Sequence, residues 1–133
     1  MTDFEFTSEL QVRFRDIDAM HHVNNAVYAS YLEQARLEYY EEVIGVGLTD
    51  IDTVLVHLEI DYRRPIEMGE SPTVHLHLED IGESSNTMTY EIRTNRGVAA
   101  TAETVQVFFD PETEQSKPIP GEWREKMLEY RDQ

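Results

Sequence analysis

The sequence predicts an α+β fold, with one long central helix wrapped by an antiparallel sheet. Two observations predict it. Apolar and aromatic residues recur at helical spacing through residues 26–44, and four β-prone segments then follow one another, separated by short turns. Strands joined by short links run antiparallel. A single long helix must bury its apolar side against the sheet they form.

Taken in order, residues 4–14 alternate: Phe4, Phe6, Leu10, Val12 and Phe14 share one parity against Glu5, Thr7, Glu9, Gln11 and Arg13. That pattern predicts a half-buried first strand. In the next segment Tyr28, Tyr31, Leu32, Ala35, Tyr39 and Val43 fall on helical spacing, with Asn24 or Asn25 suited to cap the start and Gly45 and Gly47 to end it. A turn at residues 49–52 leads to a strand in which Val54, Val56, Leu58, Ile60 and Tyr62 alternate with Leu55, His57, Glu59, Asp61 and Arg63. Pro65 and Gly69 break it. Val74, Leu76 and Leu78 form the next inner row, and Met88, Tyr90 and Ile92 the one after, with turns at 82–86 and 95–97. Residues 98–109 are β-prone and end at Asp110-Pro111. Trp123, Met127 and Tyr130 then share one face of a short last helix.

At 133 residues the chain fits one domain, with residues 110–133 as a C-terminal extension. A chain of this size buries roughly 70% of its unfolded surface, enough for a core without staples. It has no cysteine, hence no disulfide framework and no thiolate chemistry. The opening residues lack a basic, then apolar, leader pattern, and no apolar run suits a bilayer span. The expectation is a soluble, cytoplasmic protein with no membrane partner.

Acids outnumber bases 27 to 11, giving a formal net charge of −16. Such a field repels nucleic acid. Two readings fit: adaptation to high salt, and an ordinary acidic protein. Lysine is scarce, at Lys117 and Lys126 only, and the acid excess is spread along the chain. Both features favour the first reading.

Chemically capable groups crowd the stretch R-D-I-D-A-M-H-H-V-N-N-A-V-Y, residues 15–28, just before the long helix. A carboxylate there, Asp18, gains from the positive end of the helix dipole, though a plain capping role is equally open. Asp16 reads as a turn-steering residue. His22 suits a base, a substrate donor or a loop bond to backbone. Asn24 and Asn25 suit caps or carbonyl binding. Whatever the side chains do, the N–H groups at 24–26 are oriented donors of the kind that stabilise an oxyanion. His75 and His77 share a strand face but have no third ligand near in sequence, so a polar surface is the favoured reading and no metal is expected. His21 and His57 carry no signal alone. Arg63 and Arg64 suit a phosphate or pairing with local acids. Phosphate-loop, dinucleotide, nucleophile-elbow and zinc-helix motifs are absent from the sequence.

The run D-x-D-x-x-x-H-V-N-N-x-x-Y followed by E-x-A-R, with the later I-D-Y-R-R-P-I-E-M-G-E-S, resembles the hotdog-fold acyl-CoA thioesterases similar to 4-hydroxybenzoyl-CoA thioesterase. The likeness spans roughly residues 3–110. It implies a long helix wrapped by a five-stranded antiparallel sheet. It also implies dimers formed by joining sheets edge to edge, further assembly into tetramers, and a site at the dimer interface near the helix start. It implies that Asp18 is the nucleophile or the base that activates water, that the Asn25 N–H is the oxyanion donor, and that His22, Asn24 and Asn25 line the site. Tyr28 and Tyr31 then shape the pocket depth. Coenzyme A is part of the substrate, and no cofactor is expected. A thioester needs a nucleophile on one side and fixed donors on the other, and the 15–28 stretch offers both.

Two residues depart from the pattern: Arg15 stands where many relatives have a small or polar residue, and His21 where many have glycine. The charge also opposes binding of an anionic CoA, unless Arg63, Arg64 or Arg93 offset it locally. Activity that rises with salt is therefore expected. The competing expectations are a non-catalytic acyl-CoA-binding protein on the same fold and a thioesterase acting on acyl carrier protein, which an acidic chain would repel. A hotdog dehydratase is disfavoured by the arrangement of its expected acid–histidine pair.

Overall fold

The computed structural model describes residues 4–47 and 49–133. Residue 3, where the resemblance begins, lies outside them. The elements are β1 (Phe6–Glu9), α1 (Val27–Ile44), β2 (Thr53–Tyr62), β3 (Thr73–Ile81), β4 (Ser85–Thr94), β5 (Gly97–Asp110), β6 (Gln115–Ser116) and α2 (Gly121–Arg131). Every pairing is antiparallel, in the order β1-β3-β4-β5-β2, and β6 adds to the end of β5.

α1 lies on one face of this sheet. It buries Tyr28, Tyr31, Leu32, Ala35, Tyr39, Tyr40 and Ile44 against Leu76, Leu78, Met88, Tyr90, Ile92 and Phe108. Burying each large aliphatic side chain stabilises the fold by about 1.5–3 kcal/mol. Val43, expected with the inner row, is only partly buried. Gly45 ends the helix in the left-handed region at φ 70°, where a glycine meets no Cβ penalty. Its N–H donates to the Glu41 carbonyl at 3.0 Å and that of Val46 to Tyr40 at 3.4 Å, which satisfies the last carbonyls. α2 closes one end with Met127 buried, Trp123 against Phe108 and Tyr130 against Tyr39.

Three expectations change. The first strand does not run over 4–14: β1 stops at Glu9, and a 3-10 turn at Phe14–Asp16 follows. The Arg13 N–H donates to Asp16 Oδ2 at 2.8 Å, and this turn leaves Phe14 86% exposed. Next, β2 does not lie beside β3. It crosses to the far edge and pairs with β5.

The alternation in β2 is also broken, by a bulge at Val56. Leu55 stands opposite Gln106 and Leu58 opposite Thr104, so Thr53, Leu55, Leu58, Ile60 and Tyr62 share the helix-side face. The extra residue shifts the parity that the sequence suggests. As an edge strand, β2 leaves Val54, Leu55, Val56, Leu58 and Tyr62 exposed. An apolar edge of this kind invites strand pairing with another chain.

Candidate active site

The polar stretch before α1 folds into a tight hairpin. Ile17 and Val23 form a bridge, the Asp18 N–H donates to the His22 carbonyl at 2.8 Å, and the His21 N–H returns to the Asp18 carbonyl at 3.0 Å. The turn requires a left-handed residue, and His21 supplies it at φ 68°. A glycine, which the resemblance leads one to expect at this position, would take that conformation without strain.

Asp18 Oδ1 accepts the Met20 N–H at 2.8 Å and the His22 N–H at 3.3 Å. Its other oxygen has no donor among the described residues. The Val23 N–H donates to the Ile66 carbonyl at 2.8 Å, and His22 bridges to Glu67. These bonds stitch the hairpin to the segment that leaves β2.

Asn24 holds the turn that leads into the helix. Its Oδ1 accepts the Ala26 N–H and its carbonyl the Val27 N–H, both at 2.9 Å. Its side-chain oxygen is therefore engaged in this turn, and Asn24 is not among the residues that line the cleft described below. The Asn25 N–H has no acceptor among the described residues. It is an orphan donor at the positive end of the helix. Tyr62 donates its hydroxyl to the Asn25 carbonyl at 2.8 Å and sets its ring edge-on to Tyr28, 4.9 Å between centroids. Burial raises the Tyr28 phenol above its ordinary value. Asp16 accepts the Tyr31 hydroxyl at 2.9 Å, and burial together with that bond raises the Tyr31 phenol.

A cleft of about 380 Å³ joins Asp18, His22, Asn25, Tyr28, Arg63 and Arg64, with Tyr62 on its wall. Tyr62 escaped sequence reasoning as a site residue. Its signal was the tyrosine that opens Y-R-R-P within the I-D-Y-R-R-P-I-E-M-G-E-S run. Both arginines hang on one carbonyl: the Arg63 and Arg64 N–H groups donate to Ala99 at 2.8 and 3.1 Å. Neither guanidinium pairs with a carboxylate among the described residues, although Arg64 donates to the Arg96 carbonyl. A larger hollow of about 590 Å³ on the outer sheet face is lined by Glu59, Asp61, Glu79, Glu91 and Glu103 together with Arg93, whose guanidinium pairs with Glu91 at 2.9 Å.

The remaining histidines sit on that outer face. His77 meets Glu5 at 2.8 Å, and His75 meets the Thr73 hydroxyl at 3.0 Å. His57 lies 3.4 Å from Glu59 and 3.5 Å from Glu103.

The loop behind the cleft is clamped by Arg96, which donates to Glu70 at 2.9 and 3.1 Å and to the Pro65 carbonyl at 2.9 Å. Hydrogen bonding to Arg96 holds the Glu70 carboxyl well below its ordinary 4.5, at about 2. On acidification the unfolded chain therefore takes up this proton first. The stabilisation is complete above pH 4.5 and is lost as pH falls toward about 2. Denaturant midpoints of Glu70→Gln and wild type should differ near neutrality and converge at the acid end. A constant gap across that range would contradict the clamp.

The family model of the thioesterase-like superfamily matches residues 12–127. The long-chain acyl-CoA thioesterase FadM of Escherichia coli K12 is 30% identical over 125 residues, covering 90% of this chain and 95% of that protein. The 1,4-dihydroxy-2-naphthoyl-CoA hydrolase of Synechococcus elongatus is 31% identical over 130 residues, covering 90% and 91%. A thioesterase of Thermus thermophilus, solved with coenzyme A and Zn, superposes with a TM-score of 0.90 at 32% identity, covering 100% of this chain and 98% of that one. Helix, sheet order and matched span agree, and the chain belongs to the thioesterase-like superfamily of hotdog-fold proteins.

Proposed function

We propose that the protein hydrolyses acyl-CoA thioesters to the free acid and CoA. One observation carries the reading: a carboxylate with a free oxygen and an orphan helix N–H line the same cleft. Asp18 acts through its free oxygen, either on a water or directly on the thioester carbonyl. In the first route Asp18 takes a proton from water as the hydroxyl adds to the carbonyl carbon. The carbonyl oxygen becomes an oxyanion held by the Asn25 N–H. Collapse breaks the C–S bond and releases CoA thiolate, which takes the proton. In the second route Asp18 attacks the thioester carbonyl carbon, the C–S bond breaks and CoA thiolate leaves, and water then adds to the Asp18 carbonyl of the acyl anhydride, frees the product carboxylate and gives a proton to the thiolate. Single-turnover hydrolysis in ¹⁸O-water separates them, because only the second leaves label in Asp18.

Arg63 and Arg64, at the mouth, meet the phosphates of CoA and offset the net charge locally. Replacing both with alanine should raise KM for acyl-CoA about tenfold or more. KM for the same acyl group on a short thiol without phosphates should hardly move. Equal changes for both substrates would remove this role. The working unit is a homodimer formed along β2, whose apolar edge is otherwise uncovered, and such dimers can pair into tetramers. Among the described residues no helix is long and apolar enough to cross a membrane.

A further inference from the structure

α1 carries a buried cation that the proposed chemistry does not use. Arg36, from the E-x-A-R run, is 4% exposed, and its side-chain partner is the Tyr90 hydroxyl, 3.4 Å from Nη1. No carboxylate pairs with it among the described residues. Glu33, one turn earlier, is exposed and forms no ion pair with it. A buried guanidinium without a counter-charge is costly, and it is retained where an anion completes it.

Arg36 lines a cavity of about 330 Å³ together with Glu33, Leu37, Tyr40, Leu55 and Gln106. A second donor waits there. Tyr40 donates to Gln106 Oε1 at 2.7 Å, while the Gln106 amide nitrogen has no acceptor among the described residues. The Gln106 amide and the guanidinium N–H groups that Tyr90 does not take thus border one space.

The cavity lies on the same side of α1 as the catalytic cleft. Positions 25, 29, 32 and 36 follow helical spacing. Arg36 is eleven residues beyond Asn25, about 16 Å along the axis, and helical side chains lean back toward the N-terminus, which shortens the span. Along α1 Ala29 and Leu32, and along the inner face of β2 Leu58 and Ile60, all apolar, fall between the residues that line the cleft and those that line the cavity.

We propose that the Arg36 cavity is the far end of the acyl site and selects acyl groups that end in a carboxylate, held by the guanidinium with help from the Gln106 amide. This rests on the thioesterase reading above. Arg favours the paired geometry that a carboxylate offers.

The test compares acyl-CoAs matched in length, across a series, that end in a methyl or in a carboxylate. At the best length wild type should favour the carboxylate form about tenfold or more in kcat/KM. Arg36→Met should cancel or reverse that preference, and Arg36→Lys should restore part of it. Dissociation constants of the same pairs, measured by calorimetry on Asp18→Asn, should show the same preference without turnover. Wild type that favours the methyl form, or is indifferent at every length, overturns the proposal even if Arg36→Met fails to fold. So does an Arg36→Met that loses both substrates alike while dissociating to monomer, since a carboxylate of a second copy then occupies the cavity. Absence of thiol release from every acyl-CoA overturns the thioesterase reading instead, and the calorimetric preference still decides the role of Arg36.

Discussion

Asp18→Asn should lower kcat for thioester hydrolysis by about 10²–10⁴-fold with little change in KM. The substitution is clean for a structural reason. An asparagine keeps an oxygen for the Met20 and His22 N–H groups, which Asp18 Oδ1 now accepts at 2.8 and 3.3 Å, so the hairpin persists. What disappears is the second oxygen, which in either route must take a proton or attack carbon. Asp18→Ala removes both and should also lower stability by about 1 kcal/mol, because the two backbone donors lose their acceptor. Thiol release and thermal unfolding, measured side by side, separate the two effects. Near wild-type turnover in a folded Asp18→Asn would leave an acyl-CoA-binding protein as the better account.

Val56→Glu should convert the protein to monomers and remove activity. Val56 is the bulged residue of β2 and 57% exposed on the open edge. A charge on such an edge blocks strand pairing. In a two-fold interface each substitution counts twice, so a loss of about 1–3 kcal/mol per side weakens the dimer by about 10²–10⁴-fold. Light scattering at assay concentration reads the mass, and the same sample reads the rate. A fully active monomer, wild type or variant, would show that the cleft needs no partner.

The helix and the inner rows of β3 and β4 were legible because their signals are local. The switch from period 2 to period 3.6 at residue 26, and Gly45 at its end, need no knowledge of neighbours. The crowding of Asp18, His22 and Asn25 before a helix start was legible for the same reason. Features set by distant partners were not. β2 alternates well enough to suggest one covered face, yet its place at the sheet edge and its bulge depend on pairing with β5, some forty residues away. β1 was read too long because Phe14 keeps the strand parity, while the Arg13–Asp16 bond turns the chain away. Asn24 and Asn25 read alike in sequence, and tertiary structure separates them: Asn24 Oδ1 holds the turn before the helix while Asn25 lines the cleft. Tyr62 joins the site through a bond to Asn25 across 37 positions. Arg36 reads as a surface residue by type and is buried by tertiary context alone.

The central claim is thioester hydrolysis at the cleft before α1, and thiol release from a panel of acyl-CoAs tests it most directly. The assay belongs at low salt and in molar KCl, where a Debye length of about 3 Å removes the repulsion between a chain of charge −16 and an anionic substrate. The account predicts turnover on at least one acyl-CoA, rising with salt. No thiol release from any of them, by protein that is folded and dimeric in both buffers, would contradict it.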